Sequence, residues 1–488
     1  MMLVKRGKHF VLRQEAGLVF CAAVLLGGVG AVAQAPNPSS AANPFFGSVT
    51  AQPLSDETLK LSLDDVVSRG LKNNLGLKEA ENDERTVHAD KSEALQEFLP
   101  TITLKGSTGV YQHNLAAQGF GPGVVSKFKG VFPGGTTPKL SLITKDDLTE
   151  GKVYFSQTLF SGPVISGWKA AGSAERAAHF AKMTARGEVV QQVATAYLHA
   201  IAASGEVDNA RAQVAQDQVQ LDHAHAAHEA GVASNLDELR ARVQLEAQQQ
   251  ALLYAQNALE KDLILLKRET GIDPGQKIAL TDPAPYSDLA EQTPEEVRAI
   301  AYKNRQDYQN LKNQVVTYRA IHNTYRAQRL PTLVFNSYYG TSTVNGAGTH
   351  GNFAAVGTLY LPLFREAGIR GQEDASAAQL ESVNAELADL HNYIDEQVRA
   401  ALLDVGASSK LVQVARSNVE LATRALSDET DRVNAGVDDN LPLVTAQATL
   451  ASAENNLVES LYRYNVSKLA LARAAGVLEL QYREYLGR

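Results

Sequence analysis

Three histidines in one short segment, His223, His225 and His228, are the residues whose type first suggests metal chemistry. Zinc ligands on a single helix usually lie at positions i and i+4, with an acidic residue nearby. Here the spacings are two, three and five residues, which distribute the imidazole rings around the helix. We therefore interpret them as solvated surface histidines and expect no metal site.

No other residue pattern indicates catalysis. The sequence contains no P-loop, no Gly-x-Ser-x-Gly elbow and no zinc-protease motif. Gly119 to Gly123 is rich in glycine, but the proline within it is unsuited to a phosphate cradle. The formal net charge of −8 and the lack of a Lys/Arg cluster argue against a nucleic-acid partner. We expect no catalytic residues and no cofactor.

Residues 1–35 have the three parts of a secretory signal peptide. A basic start precedes an uncharged apolar run from Leu18 to Val32, and Ala33-Gln34-Ala35 provides a small-x-small cleavage site. Cleavage would remove four positive charges and one negative charge, which turns the net charge of −8 into −11. It would also remove Cys21, the only cysteine, so neither a disulfide nor a thiolate metal site is expected. No later window approaches 18 consecutive apolar residues.

The rest of the chain contains an internal repeat. Glu97 to Ile102 recurs as Gln328 to Leu333, at a shift of 231 residues. Later matches lie at shifts of 204 and 205, so the first copy has about 27 extra residues between its two strand signals. These later matches are Leu159-Phe160 with Leu363-Phe364, Gly167 with Gly371, Gly231-Val232 with Gly436-Val437, and Gly271 with Gly476.

Each copy changes its hydrophobic period in the same order. A helical stretch (63–98 and 293–329) ends before a proline and is followed by two strand-like runs. The predicted strands are 101–107 and 153–160 in the first copy, and 332–339 and 353–361 in the second. A helical stretch of about 65 residues follows, from about 163 to 230 in the first copy and from 365 to 434 in the second. It turns at a Gly-Val tip and returns to Gly271 or Gly476.

The last return helix has a heptad pattern, because Leu443, Leu450, Leu457, Tyr464 and Leu471 are spaced by seven. Such spacing predicts a coiled-coil seam. The intervening small and polar residues favour a hollow helical tube over a solid bundle. We divide the chain into a signal peptide (1–35), an N-terminal linker (36–60), a first repeat (61–292), a second repeat (293–478) and a C-terminal tail (479–488).

Four strands per chain cannot close a membrane barrel, because the smallest barrels have about eight. An open edge in lipid would leave backbone groups without hydrogen bonds. If the strands are inserted in a membrane, several chains must share one barrel. Two, three or four chains satisfy this condition equally well.

The twofold unit, the Leu-Pro-Thr turns, Leu-Phe before the second long helix and the Gly-Val tips resemble the TolC outer-membrane efflux family over residues 61–478. The resemblance implies a mainly helical fold with membrane strands. In it, a homotrimer forms a 12-stranded outer-membrane β-barrel and a long periplasmic α-helical coiled-coil barrel. It also implies a passive exit duct for efflux or type I secretion, working with a periplasmic membrane-fusion adaptor and an inner-membrane transporter.

The resemblance also assigns roles to the turns between the long helices. It implies that Gly231, Val232, Gly436 and Val437 contact the adaptor. Acidic gate rings are expected at the positions of Pro442 and Thr445, which are not acidic here. Asp438 and Asp439 at the tip are our gate candidates, together with Asp237, which matches a position that locks neighbouring helices. For Asp438 and Asp439 the alternative interpretation is a pair of solvated turn aspartates. For Asp237 it is an ordinary first-turn acid favoured by the helix dipole.

Two other functions remain open from the sequence. One is a periplasmic or surface coiled-coil scaffold without a channel, in which the hairpins pack as ordinary sheets. The other is an exported enzyme, against which the missing motifs weigh. Neither the exported substrate nor the pump class can be read from the sequence, because a wide duct carries little imprint of its cargo.

Overall fold

The computed structural model describes residues 43–49, 53–114, 117, 143–231, 234–435 and 440–487. These residues form a small helical turn at Pro44–Phe46, nine helices and six strands, in an order that repeats once along the chain. Strand β1 is Leu59–Leu61 and pairs in parallel with β4, Ile278–Leu280. In this part of the chain no helix combines the length and the apolar composition needed to cross a membrane.

The first copy contains α1 (Leu63–Asn73), α2 (Leu75–Gln96), β2 (Thr101–Asn114), β3 (Ile143–Phe160), α3 (Gly162–Glu229) and α4 (Asn235–Thr270). The second contains α5 (Pro294–Asn304), α6 (Gln306–Ala327), β5 (Thr332–Val344), β6 (Thr349–Tyr360), α7 (Glu366–Asn434) and α8 (Asn440–Ala474). A last helix, α9 (Leu478–Tyr485), follows. The predicted order of helix, two strands, long helix and return helix is confirmed in both copies.

Each predicted first helix is in fact two helices, so the expectation of continuous helices over 63–98 and 293–329 was wrong. Asn74 and Arg305, which are 231 residues apart, have extended backbones with ψ angles of 134° and 121°. The Asn74 side-chain amide donates to the carbonyl oxygen of Phe45 at 2.6 Å. Arg305 donates twice to the carboxylate of Asp307. Side-chain contacts of this kind are not visible in a helical hydrophobicity pattern.

The contacts of the chain group it into two compact units. The helical unit contains the residues up to Thr86, Ala177–Lys312 and Glu386–Arg488, and the sheet unit contains Val87–Arg176 and Asn313–Ala385. The core of the helical unit surrounds Tyr197, which is fully buried. Its hydroxyl donates to the carbonyl oxygen of Leu61 and to a carboxylate oxygen of Asp282, both at 2.9 Å.

The heptad residues of α8 lie on one packed face of the helical unit. Leu443, Leu450, Tyr464 and Leu471 are buried and Leu457 is half-buried. Burial at seven-residue intervals is the behaviour expected of a coiled-coil seam. The packing of the described residues therefore agrees with the heptad prediction.

The sheet unit holds one antiparallel sheet with the strand order β2-β3-β5-β6. All four strands are longer than predicted or begin earlier, because register pairing continues through polar and glycine positions that resemble loop. The β2–β3 pairing extends from Thr101 opposite Ser156 to Asn114 opposite Ile143. The glycine-rich link of the first hairpin lies outside the described residues, whereas the second hairpin turns within Asn345 to Gly348.

Candidate functional site

The four-stranded sheet has two chemically different faces. Because side chains alternate along a strand, the register determines which residues share a face. One face, here called the apolar face, carries Ile102, Leu104, Val110, Val153, Phe155, Leu333, Phe335, Tyr339, Phe353 and Leu359. Many of these side chains are open to the surroundings: Leu104 is 76% exposed, Phe353 75% and Tyr339 71%.

The opposite face, here called the polar face, carries most of the charged and amide side chains of the strands. Its charged residues and histidines are Lys105, His113, Asp146, Glu150, Lys152 and His350. Hydrogen bonds cross between neighbouring strands on this face. Ser156 donates to Asn336 at 2.8 Å, and Asn352 donates to Ser342 at 2.8 Å. A sheet with an exposed apolar face and a polar opposite face is suited to separate lipid from water.

Most tyrosines of the sheet lie on its polar face. A girdle of aromatic side chains at the membrane interface would instead lie on the apolar face. Of the five tyrosines on the four strands, only Tyr339 lies on the apolar face; the others are Tyr111, Tyr154, Tyr338 and Tyr360. Trp168 of α3 packs edge-on against Phe98, with ring centroids 6.2 Å apart. An aromatic girdle on the apolar face would therefore contain only Tyr339 of these five tyrosines.

The tip of the first copy is a tight turn that uses a glycine. Helix α3 ends at Glu229, and Gly231 has a positive φ of 69°, which glycine adopts without steric cost. A β-carbon added there would meet no atom within 4 Å. Gly231 is thus a turn residue with open space around it, and Val232 lies outside the described residues.

Asp237 takes part in the start of the helix that follows this tip. Ser234 is the N-cap of α4, and its side chain accepts from the amide of Asp237 while the Asp237 carboxylate accepts from the amide of Ser234. This capping box lowers the pKa of Asp237, chiefly through the hydrogen bond from the Ser234 hydroxyl at 2.7 Å. Helix capping therefore accounts for this acid, and its role in locking neighbouring helices stays a prediction.

The predicted residues of the second tip, Gly436, Val437, Asp438 and Asp439, lie outside the described residues. Helix α7 ends at Asn434 and α8 begins at Asn440, so the two-helix hairpin itself is in place. Thr445, at one expected gate position, is exposed. The adaptor and gate roles of this tip stay predictions.

His223, His225 and His228 all lie near the end of α3, which ends at Glu229. The Nδ1 atom of His225 lies 3.0 Å from a carboxylate oxygen of Glu238, and its Nε2 atom lies 3.5 Å from Glu229. The hydrogen bond with Glu238 raises the pKa of His225. Among the residues with described positions, no group of three His, Cys, Asp or Glu side chains is arranged to hold a metal ion.

Two features of the structure were not predicted from the sequence. Lys105 and Lys152 stand opposite each other on the polar face, a placement that the period-two alternation of both strands would have predicted once their register was known. Glu269 is fully buried in the helical unit. Nothing in the local sequence distinguishes it from an exposed acid in the last turn of a helix.

The chain is similar to proteins of one kind. A family model described as outer membrane efflux protein matches residues 66–271 and 298–477. The outer membrane protein TolC of Escherichia coli K12 is 23% identical over 359 residues, covering 68% of this chain and 70% of TolC. The TolC of Vibrio cholerae is 23% identical over 351 residues, covering 69% of this chain and 78% of that protein.

Solved structures of similar fold cover most of the chain. The outer membrane protein VceC of Vibrio cholerae has a TM-score of 0.70 at 17% identity, covering 85% of this chain and 96% of VceC. A membrane protein from Pseudomonas aeruginosa has a TM-score of 0.71 at 19% identity, covering 85% and 93%. At these identities the likeness concerns the fold, and the predicted TolC-like fold is confirmed.

Proposed function

Because the chain belongs to the outer membrane efflux protein family, we propose that it is the exit duct of a tripartite efflux pump or of a type I secretion system. Its location is the outer membrane, and it is a passive conduit rather than an enzyme. In the proposed assembly, a periplasmic adaptor joins the duct to an inner-membrane transporter. These two partners supply substrate recognition and energy.

The observation that carries this proposal is the exposed apolar face of the sheet. An antiparallel sheet in water normally covers one face with a core, yet here large side chains such as Leu104, Tyr339 and Phe353 are open. Lipid is the environment in which such a face is stable. Among the described residues, the outer strands β2 and β6 each have an edge without a partner strand, which lipid does not tolerate.

In the proposed assembly, edge strands of neighbouring copies pair with β2 and β6 and satisfy the backbone groups of their open edges. Three chains with four strands each would form a barrel of 12 strands, which is the homotrimer that the family resemblance implies. The polar face would then line the lumen of this barrel. The long helices α3, α4, α7 and α8 would form the periplasmic helical barrel that the family resemblance implies. The tips at Gly231, Val232, Gly436 and Val437 are the proposed adaptor contacts.

A cysteine at position 232 tests this contact. The Val232→Cys variant is expected to cross-link to the adaptor, and a variant that never does so would argue against the contact.

The proposed function predicts that the protein needs detergent for extraction, runs as heat-sensitive trimers and gives discrete conductance steps in a planar lipid bilayer. The alternative of a non-channel coiled-coil scaffold predicts extraction without detergent and no steps. The measurements are gel mobility before and after boiling and single-channel recording of the purified protein. A monomeric protein without steps would contradict the duct.

The gate candidates predict a charge effect at the periplasmic mouth. Replacing Asp438 and Asp439 together by asparagine removes two rings of like charge in the trimer, so cation preference and block by trivalent cations are expected to weaken. The Asp438→Glu and Asp439→Glu pair keeps the charge and serves as the control. If both pairs keep the wild-type selectivity and block, these aspartates do not form the gate.

A further inference from the structure

The polar face of the sheet carries two lysines at the same height. Lys105 on β2 is directly opposite Lys152 on β3, and alternation places both side chains on this face. Each ammonium group lies over a tyrosine ring of the next strand. The Nζ atom of Lys105 is 5.0 Å from the ring centroid of Tyr154, and that of Lys152 is 5.0 Å from the centroid of Tyr338.

The two tyrosine rings that the lysines contact are themselves neighbours. Tyr154 and Tyr338 are opposite each other in the β3–β5 register, with ring centroids 5.7 Å apart. A cation over an aromatic face is attracted by the negative charge density of the ring without being neutralised by it. The tyrosines therefore hold the lysine stems in place and leave the positive charge intact.

Only part of this positive charge is balanced by nearby acids. Glu150, two residues from Lys152 on the same strand, accepts from its Nζ atom at 2.5 Å. The other charged groups and histidines of the polar face are His113, Asp146 and His350, nearer the hairpin ends of the strands. His113 and Asp146 face each other at 3.9 Å. Within the described strands, Glu150 therefore balances Lys152, and the positive charge of Lys105 has no carboxylate opposite it on β3.

We propose that Lys105 and Lys152, here called the lysine belt, favour the passage of anionic solutes through the membrane part of the duct. This inference rests on the proposed function, because the polar face lines a lumen only if three chains close one barrel. At the height of the belt, three copies place six lysines and three Glu150 carboxylates around the lumen, an excess of three positive charges there, while Asp146 lies further along the strands beside His113. Rings of like charge on a pore wall concentrate the opposite ion and repel the same one.

The lysine belt is positively charged, whereas Asp438 and Asp439 at the tip are negatively charged. The experiment must therefore measure the effect of the barrel side separately. Protein is inserted with one orientation into a planar bilayer, and the potassium-to-chloride permeability ratio is measured in a KCl gradient. For Lys105→Gln with Lys152→Gln, we expect this ratio to rise about twofold. The effect is modest because water and salt in the lumen screen the charges that the substitutions remove. Inositol hexakisphosphate added on the barrel side is expected to block the wild-type current and to block this variant several-fold less.

Two controls separate lumen charge from other effects. Lys145→Gln removes the same charge from the same strand, but residue 145 lies on the opposite face from Lys152, so the ratio should not change. Lys105→Arg with Lys152→Arg keeps the charge and should keep both the ratio and the block. The single variant Lys105→Gln, at an exposed position, provides a second test if the double variant does not assemble.

The outcomes distinguish this inference from the function on which it rests. Conductance steps with an unchanged permeability ratio and undiminished anion block in the Lys105 variants would overturn the lysine belt and leave the duct standing. The absence of any conductance steps from wild-type protein would overturn the duct itself. An equal effect of Lys145→Gln would also overturn the belt, because charge on the apolar face would then matter as much.

Discussion

Replacement of Glu269 by glutamine is expected to stabilise the protein at pH 8 and to change its stability little at pH 5. Glu269 lies in the last turn of α4 and is fully buried. One carboxylate oxygen accepts from the side-chain amide of Gln192 at 2.8 Å. The other has no hydrogen-bond partner among the described residues. Burial raises the pKa of Glu269 to about 7, against the opposing effects of Gln192 and Arg268.

The direction of the pH dependence follows from this raised pKa. A carboxyl group that is harder to ionise in the folded state than in the unfolded state favours folding while it is protonated. Its contribution is complete below the ordinary value of 4.5 and is lost as the pH rises through about 7. A shift of this size corresponds to about 3 kcal/mol between acidic and alkaline conditions. Glutamine resembles the protonated acid in shape and never ionises, so it avoids this loss.

The measurement is the thermal midpoint of wild type and Glu269→Gln between pH 5 and pH 9. The two midpoints are expected to separate between about pH 4.5 and about pH 7, with the variant higher, and to keep a constant separation above pH 7. Glu246→Gln is the control, because this acid of the same helix is exposed and paired only with Arg242 at 3.7 Å. Parallel midpoint curves for wild type and Glu269→Gln would show that Glu269 is not a buried, hard-to-ionise acid.

The second large effect is expected for Gly271→Ala. Gly271 caps α4 with a positive φ of 73°, a conformation that side chains adopt at a cost. An added β-carbon would also lie 2.7 Å from the carbonyl oxygen of Val49 and 2.8 Å from the β-carbon of Asn73. Asn73 is the last residue of α1, and the Val49 amide donates to its carbonyl oxygen at 2.9 Å, so both neighbours are held in place by the backbone. Backbone strain and overpacking together should cost about 2–5 kcal/mol.

Gly231→Ala is a matched control for this prediction. Its φ of 69° is almost the same, but a β-carbon there meets nothing within 4 Å. It should therefore show backbone strain alone, about 1 kcal/mol. Gly476→Ala should resemble Gly271→Ala, because its β-carbon would lie 2.7 Å from the backbone nitrogen of Arg305. The comparison uses thermal midpoints of assembled protein, and equal midpoints for Gly231→Ala and Gly271→Ala would contradict the close packing.

The sequence by itself determined the repeat, the order of elements and the family. These properties depend on local signals: hydrophobic periods, prolines that end helices, and glycines that permit turns. Helices α3 and α7 begin and end within one residue of the predicted bounds, because their pattern is long and uninterrupted. The four strands were predicted to exist but were too short, since glycines and polar residues at their hairpin ends resemble loop.

The tertiary structure alone decided where the helices break, which face each strand residue occupies and which acid is buried. At the two helix breaks, the side chains of Asn74 and Arg305 donate hydrogen bonds to distant segments, Asn74 to the carbonyl oxygen of Phe45 and Arg305 to the side chain of Gln397. Lys105 and Lys152 lie side by side only through the register of two strands, and a shift of one residue would put one of them on the apolar face. Glu269 differs from an exposed acid through its contact with Gln192, 77 residues away in the chain. Each of these outcomes depends on contacts between distant segments, which local sequence patterns do not encode.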